Sequence, residues 1–153
     1  MKRSLYLFVS DIDDCIKNIE DFSKGLSKNN FLNDKLRQSA IVRQLEIIGE
    51  AAKNIPEIFR EQYPEIPWKK IAGLRDVITH AYFNIDIDIT WDIIKKDLPA
   101  LKKHITKIKN ILKKKEKWTI NLLRNYLKII RMKLNSSIDK QINLLEYKPK
   151  WTQ

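Results

Sequence analysis

Apolar residues recur at three- and four-residue steps along nearly the whole chain, the period of a helix buried on one face. Leu5, Phe8, Ile12, Cys15, Ile16, Ile19 and Phe22 trace the first such stripe. Gly25 and the Ser27-Lys28-Asn29-Asn30 stretch are expected to end it. A second helix is expected from a cap at Asn33 or Asp34 through Ala40, Ile41, Val42, Leu45, Ile47, Ile48, Ala51 and Ala52. Its apolar residues lie on more than one side, which predicts a central, well-covered helix. Asn54-Ile55-Pro56 should stop it, because proline lacks the N–H that the helical ladder needs. A turn over 56–63 and the rigid Pro64-Glu65-Ile66-Pro67 connector then lead to a third main helix, Trp68 to about Tyr82.

Ile85-Asp86-Ile87-Asp88-Ile89 is a strict apolar/polar alternation, a strand signal without a second strand to pair with. It reads better as a loop and helix cap, followed by a helix over Thr90–Leu112 with a kink expected at Pro99. From Lys113 to Tyr147 there is no Pro or Gly, and Ile120, Leu123, Leu127, Ile130, Leu134, Ile138, Ile142 and Leu145 keep the helical step. A long amphipathic helix is predicted there, with a break expected near Asn135-Ser136-Ser137. The pattern as a whole predicts an all-α, up-and-down four-helix bundle over residues 1–112 and a basic helical extension over 113–153.

Composition narrows this picture. The chain has 153 residues, enough for one domain or one domain with an appendage, and only 3 Gly and 5 Pro, too few for the turns of a strand-rich fold. No apolar run is long enough to span a membrane. Asp11, Asp13 and Asp14 interrupt the apolar start and no small-residue cleavage site follows, so a secretory leader is not expected. The single cysteine, Cys15, suits a reducing cytoplasm and, lying on an apolar stripe, reads as a small core residue. Trp68 and Trp91 read as core anchors, and Tyr6, Tyr63 and Tyr126 as packing or interface residues.

The net charge of +11 is uneven: residues 113–153 hold 11 of the 30 basic residues against 3 of the 19 acidic ones. A basic segment raises the expectation of a phosphate-bearing partner, since Lys and Arg release condensed counterions from a nucleic-acid backbone. The tail has three readings: additional dimer surface, an RNA-holding arm, or an idiosyncratic extension. Its apolar stripe favours the first.

Candidate chemistry is sparse. The two histidines, His80 and His104, are 24 residues apart, with no cysteine or carboxylate cluster at metal-ligand spacing, and there is no Gly-rich phosphate loop. No metal or cofactor is expected. The segment that stands out is Gly73-Leu74-Arg75-Asp76-Val77-Ile78-Thr79-His80-Ala81-Tyr82. Asp76 and His80 are four apart and share a helix face, where the carboxylate could fix the imidazole tautomer. Arg75 and His80 are five apart, about 140° around a helix, so one chain would not aim both at one atom. Two readings stand: a surface Arg75–Asp76 ion pair with His80 at a helix C-terminus, or a site brought together by local distortion at the helix end or by a second subunit. On the second helix, Arg43, Glu46 and Glu50 are spaced for a structural ion-pair network, and Arg43 is also a candidate RNA or partner contact.

Arg75, His80 and Tyr82 match the Arg-x4-His-x-Tyr hallmark of the HepT-like family of the HEPN superfamily, which the sequence resembles over about residues 4–112. Val42–Ala52, Ile66–Asp76 and the 86–101 stretch with Trp91 and Leu98-Pro99-Ala100-Leu101 resemble the flanking segments in order. Many members have Asn directly after the Arg, where this chain has Asp76, which would serve as a supporting polar residue. The resemblance implies a HEPN-like bundle and a homodimer in which two Arg/His motifs meet across a cleft. It implies metal-independent RNA cleavage, with Arg75 on the scissile phosphate and His80 as the acid–base group. It also implies a toxin of a type VII-like toxin–antitoxin pair, whose small nucleotidyltransferase antitoxin would add AMP to Tyr82. Other classes remain open: a non-catalytic helical partner of a nucleotidyltransferase, or a basic nucleic-acid-binding module.

Overall fold

The computed structural model describes residues 3–80 and 85–145, the side chains of 79, 80, 139 and 142–145 excepted. Among the described residues the regular structure is helical: α1 (Leu5–Ser23), α2 (Lys28–Asn33), α3 (Lys35–Asn54), α4 (Glu57–Arg60), α5 (Trp68–His80), α6 (Ile87–Asp92), a π-helical turn (Ile93–Asp97) and α7 (Leu98–Leu145). The chain divides into two compact units, residues 1–112 and 113–153.

Local chemistry accounts for the boundaries. Ser4 caps α1 by accepting from the Leu7 N–H at 3.4 Å, and Gly25, at φ +70°, supplies the left-handed turn after its end. The polar stretch after Gly25 differs from expectation. Ser27 accepts from the Asn30 N–H at 3.1 Å, so the stretch expected only to end α1 also starts a short helix of its own, α2. Phe31 is the reason this turn is worth forming: it is fully buried and stacks on Trp91 with ring centroids 5.3 Å apart. The buried Gln38 amide then donates to the Phe31 and Leu32 carbonyls at 2.8 and 3.0 Å, tying α3 to the end of α2. Asp34 caps α3, as one of the two expected caps, through the Arg37 N–H at 3.0 Å. The turn expected over 56–63 contains the single-turn helix α4.

Helix α3 is the central helix its pattern predicted. Ile41, Leu45, Ile48, Ala51 and Ala52 are all buried, with α1 against one side and α5 against another. Cys15 lies in the α1 contribution to this core, and burial, reinforced by Asp11 and Asp14, pushes its thiol up to about 11. Trp68 and Trp91 are buried anchors as expected; the Trp68 indole also donates to the Tyr63 carbonyl at 3.0 Å. Tyr63 packs on Phe59, whereas Tyr126 is exposed in the second unit.

Three expectations for the last helices differ from what the structure shows. Asp86 does cap a helix, accepting from the Asp88 and Ile89 N–H groups at 2.9 and 3.1 Å, but that helix starts at Ile87, inside the alternating segment. At Pro99, where a kink was expected, the chain forms a π turn just before the proline. A proline ring collides with the carbonyl four residues back in an α ladder, here that of Lys95, which lies inside the π turn. The Leu98 N–H reaches the Ile93 carbonyl instead, and the wider turn accommodates the ring. The break expected at 135–137 is absent, and α7 is continuous to Leu145. Asn and Ser cost a helix only about 0.5 kcal/mol each, too little to interrupt a segment without Pro or Gly. In the second unit Trp118, Ile120, Leu123, Leu127, Ile130 and Leu134 are exposed.

One polar cluster ties the ends of the first unit together. Asp13, 3% exposed on α1, accepts from Lys17 at 2.6 Å, from Lys109 at 2.9 Å and from Thr106 at 3.2 Å. Burial pushes its carboxyl up, but the two ammonium groups outweigh that and hold it below the usual carboxylate value. A depressed carboxylate stabilises the fold above its unfolded-state value, about pH 4, and the contribution fades as pH falls through the lower folded-state value. Asp13→Ala is expected to cost about 2–3 kcal/mol at pH 7, since Lys109 is left partly buried without its main counter-charge. Urea denaturation should show that difference shrinking below about pH 4; a difference independent of pH would contradict the assignment.

Candidate functional site

Helices α3 and α5 cross at Gly49. A β-carbon there would sit 2.6 Å from the Arg75 Cβ, 2.9 Å from the Arg75 amide nitrogen and 3.0 Å from the Ile71 carbonyl oxygen. The first two distances are shorter than packed atoms tolerate and the third is tight, so glycine lets the α5 backbone come this close. The residue touched is Arg75 itself. The contact therefore fixes where the root of that side chain stands.

From this root the guanidinium enters a cleft of about 360 Å³ between α1, α3 and α5, lined by Arg3, Phe8, Arg43, Glu46, Glu50 and Arg75 among others. Its Nε lies 3.1 Å from the Glu50 carboxylate on α3, and its Nη1 lies 3.1 Å from Asp76. Asp76 also lies 3.6 Å from Lys53. The Arg75 hydrogen bond, then the Lys53 charge, hold the Asp76 carboxyl below the ordinary range, so it serves as a fixed anion and not as a proton donor near neutral pH. Arg43 opens onto the same cleft and pairs with Glu46 at 2.6 Å.

The expected network on the second helix is thus divided. Arg43 and Glu46 pair as their spacing suggested, while Glu50 pairs across the helix contact with Arg75. The expected Arg75–Asp76 pair is present. His80 occupies the last turn of α5, but its side chain lies outside the described residues, and Tyr82 lies outside them altogether. His104 is remote in chemistry as well as sequence: its Nδ1 lies 3.5 Å from Glu65. Among the described residues no group of three or more His, Cys, Asp or Glu side chains could hold a metal ion.

Sequence reasoning passed over Gly49, Asn54 and the reach of Glu50 to α5. A signal existed for the first: Gly49 is one of only 3 glycines, and it interrupts a helical pattern, which usually has a packing cause.

A family model described as "Ribonuclease HepT-like" matches residues 12–108. The "Probable ribonuclease HepT" of Thermococcus cleftensis is 45% identical over 109 residues, covering 71% of this chain and 99% of that protein. A protein of Methanocaldococcus jannaschii named as a "Putative RNase" is 41% identical over 104 residues, 68% of this chain and 95% of its own. A second from that organism, "Gamma-glutamylcyclotransferase and putative RNase", is 41% identical over 114 residues, and the chain spans 51% of its length. No solved structure matches.

The helix contact makes a prediction with opposite signs at two glycines. Alanine favours a helix interior over glycine by about 1 kcal/mol. At Gly73, where an added β-carbon meets nothing within 4 Å, Gly73→Ala should stabilise by up to about that amount. At Gly49 the obstacles include backbone atoms, and overpacking of this kind costs about 1–3 kcal/mol, so Gly49→Ala should be net destabilising. Denaturant melts of both variants decide it; stabilisation by Gly49→Ala would contradict the close contact.

Proposed function

The chain belongs to the HepT-like ribonuclease family, and from that premise we propose that it is an endoribonuclease toxin whose cutting residues are Arg75 and His80. The observation that supports this most is the placement of Arg75. Its side chain is 33% exposed, held by two carboxylates and directed into an open cleft. A half-buried guanidinium with fixed orientation is suited to holding a phosphate and stabilising charge that grows on it.

In the proposed reaction the ribose 2′-oxygen attacks the neighbouring phosphorus while His80 takes the 2′-OH proton. The P–O5′ bond breaks, and the leaving 5′-oxygen receives a proton. One strand then ends in a 2′,3′-cyclic phosphate and the other in a 5′-OH, with no net redox change. An imidazole titrates near neutral pH and can serve both proton transfers. Since the nucleophile belongs to the ribose, DNA should be inert. No metal enters this route.

The proposed working form is a homodimer, which would bring two Arg75/His80 sets to one cleft and overcome their divergence of about 140° on a single helix. The exposed apolar residues of the second unit, Trp118 to Leu134, are assigned to additional dimer surface. Regulation is proposed through a nucleotidyltransferase antitoxin that adds AMP to Tyr82; the added phosphate and adenosine would repel and displace RNA beside Arg75. No described helix is long and apolar enough to cross a membrane, and the cytoplasm is the proposed site of action.

An RNA cleavage assay in EDTA tests this reading. The native chain should cut RNA and leave DNA intact, and Arg75→Ala and His80→Ala should each lower the rate by at least about 100-fold. Equal activity in all three would assign the cleavage to a contaminant, and no activity in any would favour a non-catalytic partner. Intact-mass analysis after co-expression with a nucleotidyltransferase should find an AMP increment on the Tyr82 peptide. Its absence would remove the regulatory part alone.

A further inference from the structure

An arginine contributes to a transition state only to the extent that its orientation is set before the charge develops. Arg75 is long and rotamer-rich, so something must hold it. Asp76 is its neighbour on α5 and moves with that helix. A clamp that fixes the guanidinium against the rest of the cleft has to come from another element, and Glu50 on α3 is so placed. One Glu50 oxygen lies 3.1 Å from the Arg75 Nε. The other accepts from the Asn54 amide at 3.0 Å, and the same amide donates to the Glu50 carbonyl at 2.8 Å. The carboxylate is thus oriented at both oxygens, by one turn of its own helix on one side and by Arg75 on the other.

We propose that Glu50, backed by Asn54, is a positioning residue for RNA cleavage, holding the Nε edge of Arg75 so that the guanidinium is directed into the cleft. The proposal rests on the reading that this chain cuts RNA through Arg75. Exposure distinguishes positioning from simple stabilisation. Glu50 is 52% exposed, and a pair so open to water contributes little to folding. Its loss should therefore leave the melting temperature nearly unchanged. A second consequence follows from its sign. A carboxylate beside the scissile phosphate repels RNA, so neutralising it should not weaken binding, and should tighten it if anything. The split expected for Glu50→Gln is a lower kcat with a KM that is unchanged or lower.

The test combines a double-mutant cycle with a measurement that does not need turnover. Glu50→Gln is expected to lower kcat about tenfold without raising KM, with a melting temperature close to that of the native chain. Added to Arg75→Ala, it should cause no further loss, because it acts through that side chain. The Arg75 Nε–H resonance, assigned by its disappearance in Arg75→Lys, should shift in Glu50→Gln. Unchanged kcat, a raised KM with kcat intact, or an equal further loss on the Arg75→Ala background would each overturn the proposal. An Nε–H signal indifferent to Glu50→Gln would overturn it independently of activity. If the resonance responds but the native chain cleaves no RNA, the contact stands while the ribonuclease reading, and the catalytic role with it, falls.

Discussion

Helices α3 and α5 meet backbone to backbone at Gly49, and the candidate site is organised around that contact. Ordinary helix pairs are held 8–10 Å apart by their side chains; with no side chain at Gly49, the root of Arg75 can press against α3. Two consequences follow from one missing β-carbon. The Arg75 side chain starts at a fixed point on the cleft wall, and the next residue on α3, Glu50, comes within 3.1 Å of its guanidinium. The buried apolar face of α3, Ile41 to Ala52, keeps the two helices in register. Core packing and site geometry are thus the same interaction seen from two sides.

The electrostatics of the cleft fit that picture. Arg3 lies 2.8 Å from Asp11, Arg43 lies 2.6 Å from Glu46, and Arg75 pairs with Glu50 and Asp76. These pairs are exposed enough to contribute little to stability, and they set the guanidinium groups of Arg3, Arg43 and Arg75 around one cleft. The deeper Asp13–Lys109 pair does the opposite work, joining α1 to α7 within the first unit and taking no part in the cleft.

Much of this was legible in the sequence because the informative patterns are local. The apolar stripe of α1, the central character of α3, the Asp34 and Asp86 caps and the core tryptophans follow from spacing and residue type. What was missed depended on distant partners or on a competing cost. The polar 27–30 stretch forms α2 because Phe31 finds Trp91 about sixty residues later, which no local rule reveals. Pro99 is accommodated by a π turn in the residues before it, and Asn135-Ser136-Ser137 is too weak a breaker to stop α7. At the site, Arg75, Asp76 and Arg43 were identifiable as candidates, and the comparisons place the chain in the family that the Arg75, His80 and Tyr82 pattern suggested. Glu50 was placed in an ion-pair network by its spacing on one helix, and that spacing cannot anticipate a partner on a second helix arriving at glycine distance.

In the proposed reaction a ribose hydroxyl attacks its own phosphate under the hold of Arg75. The most direct measurement is the chemistry of the cut ends, read by mass spectrometry of products from a short RNA incubated with the native chain in EDTA. The expected termini are 2′,3′-cyclic phosphate and 5′-hydroxyl, absent when Arg75→Ala replaces the native chain. Termini bearing a 5′-phosphate and a 3′-hydroxyl, or cyclic phosphates formed equally by Arg75→Ala, would contradict it.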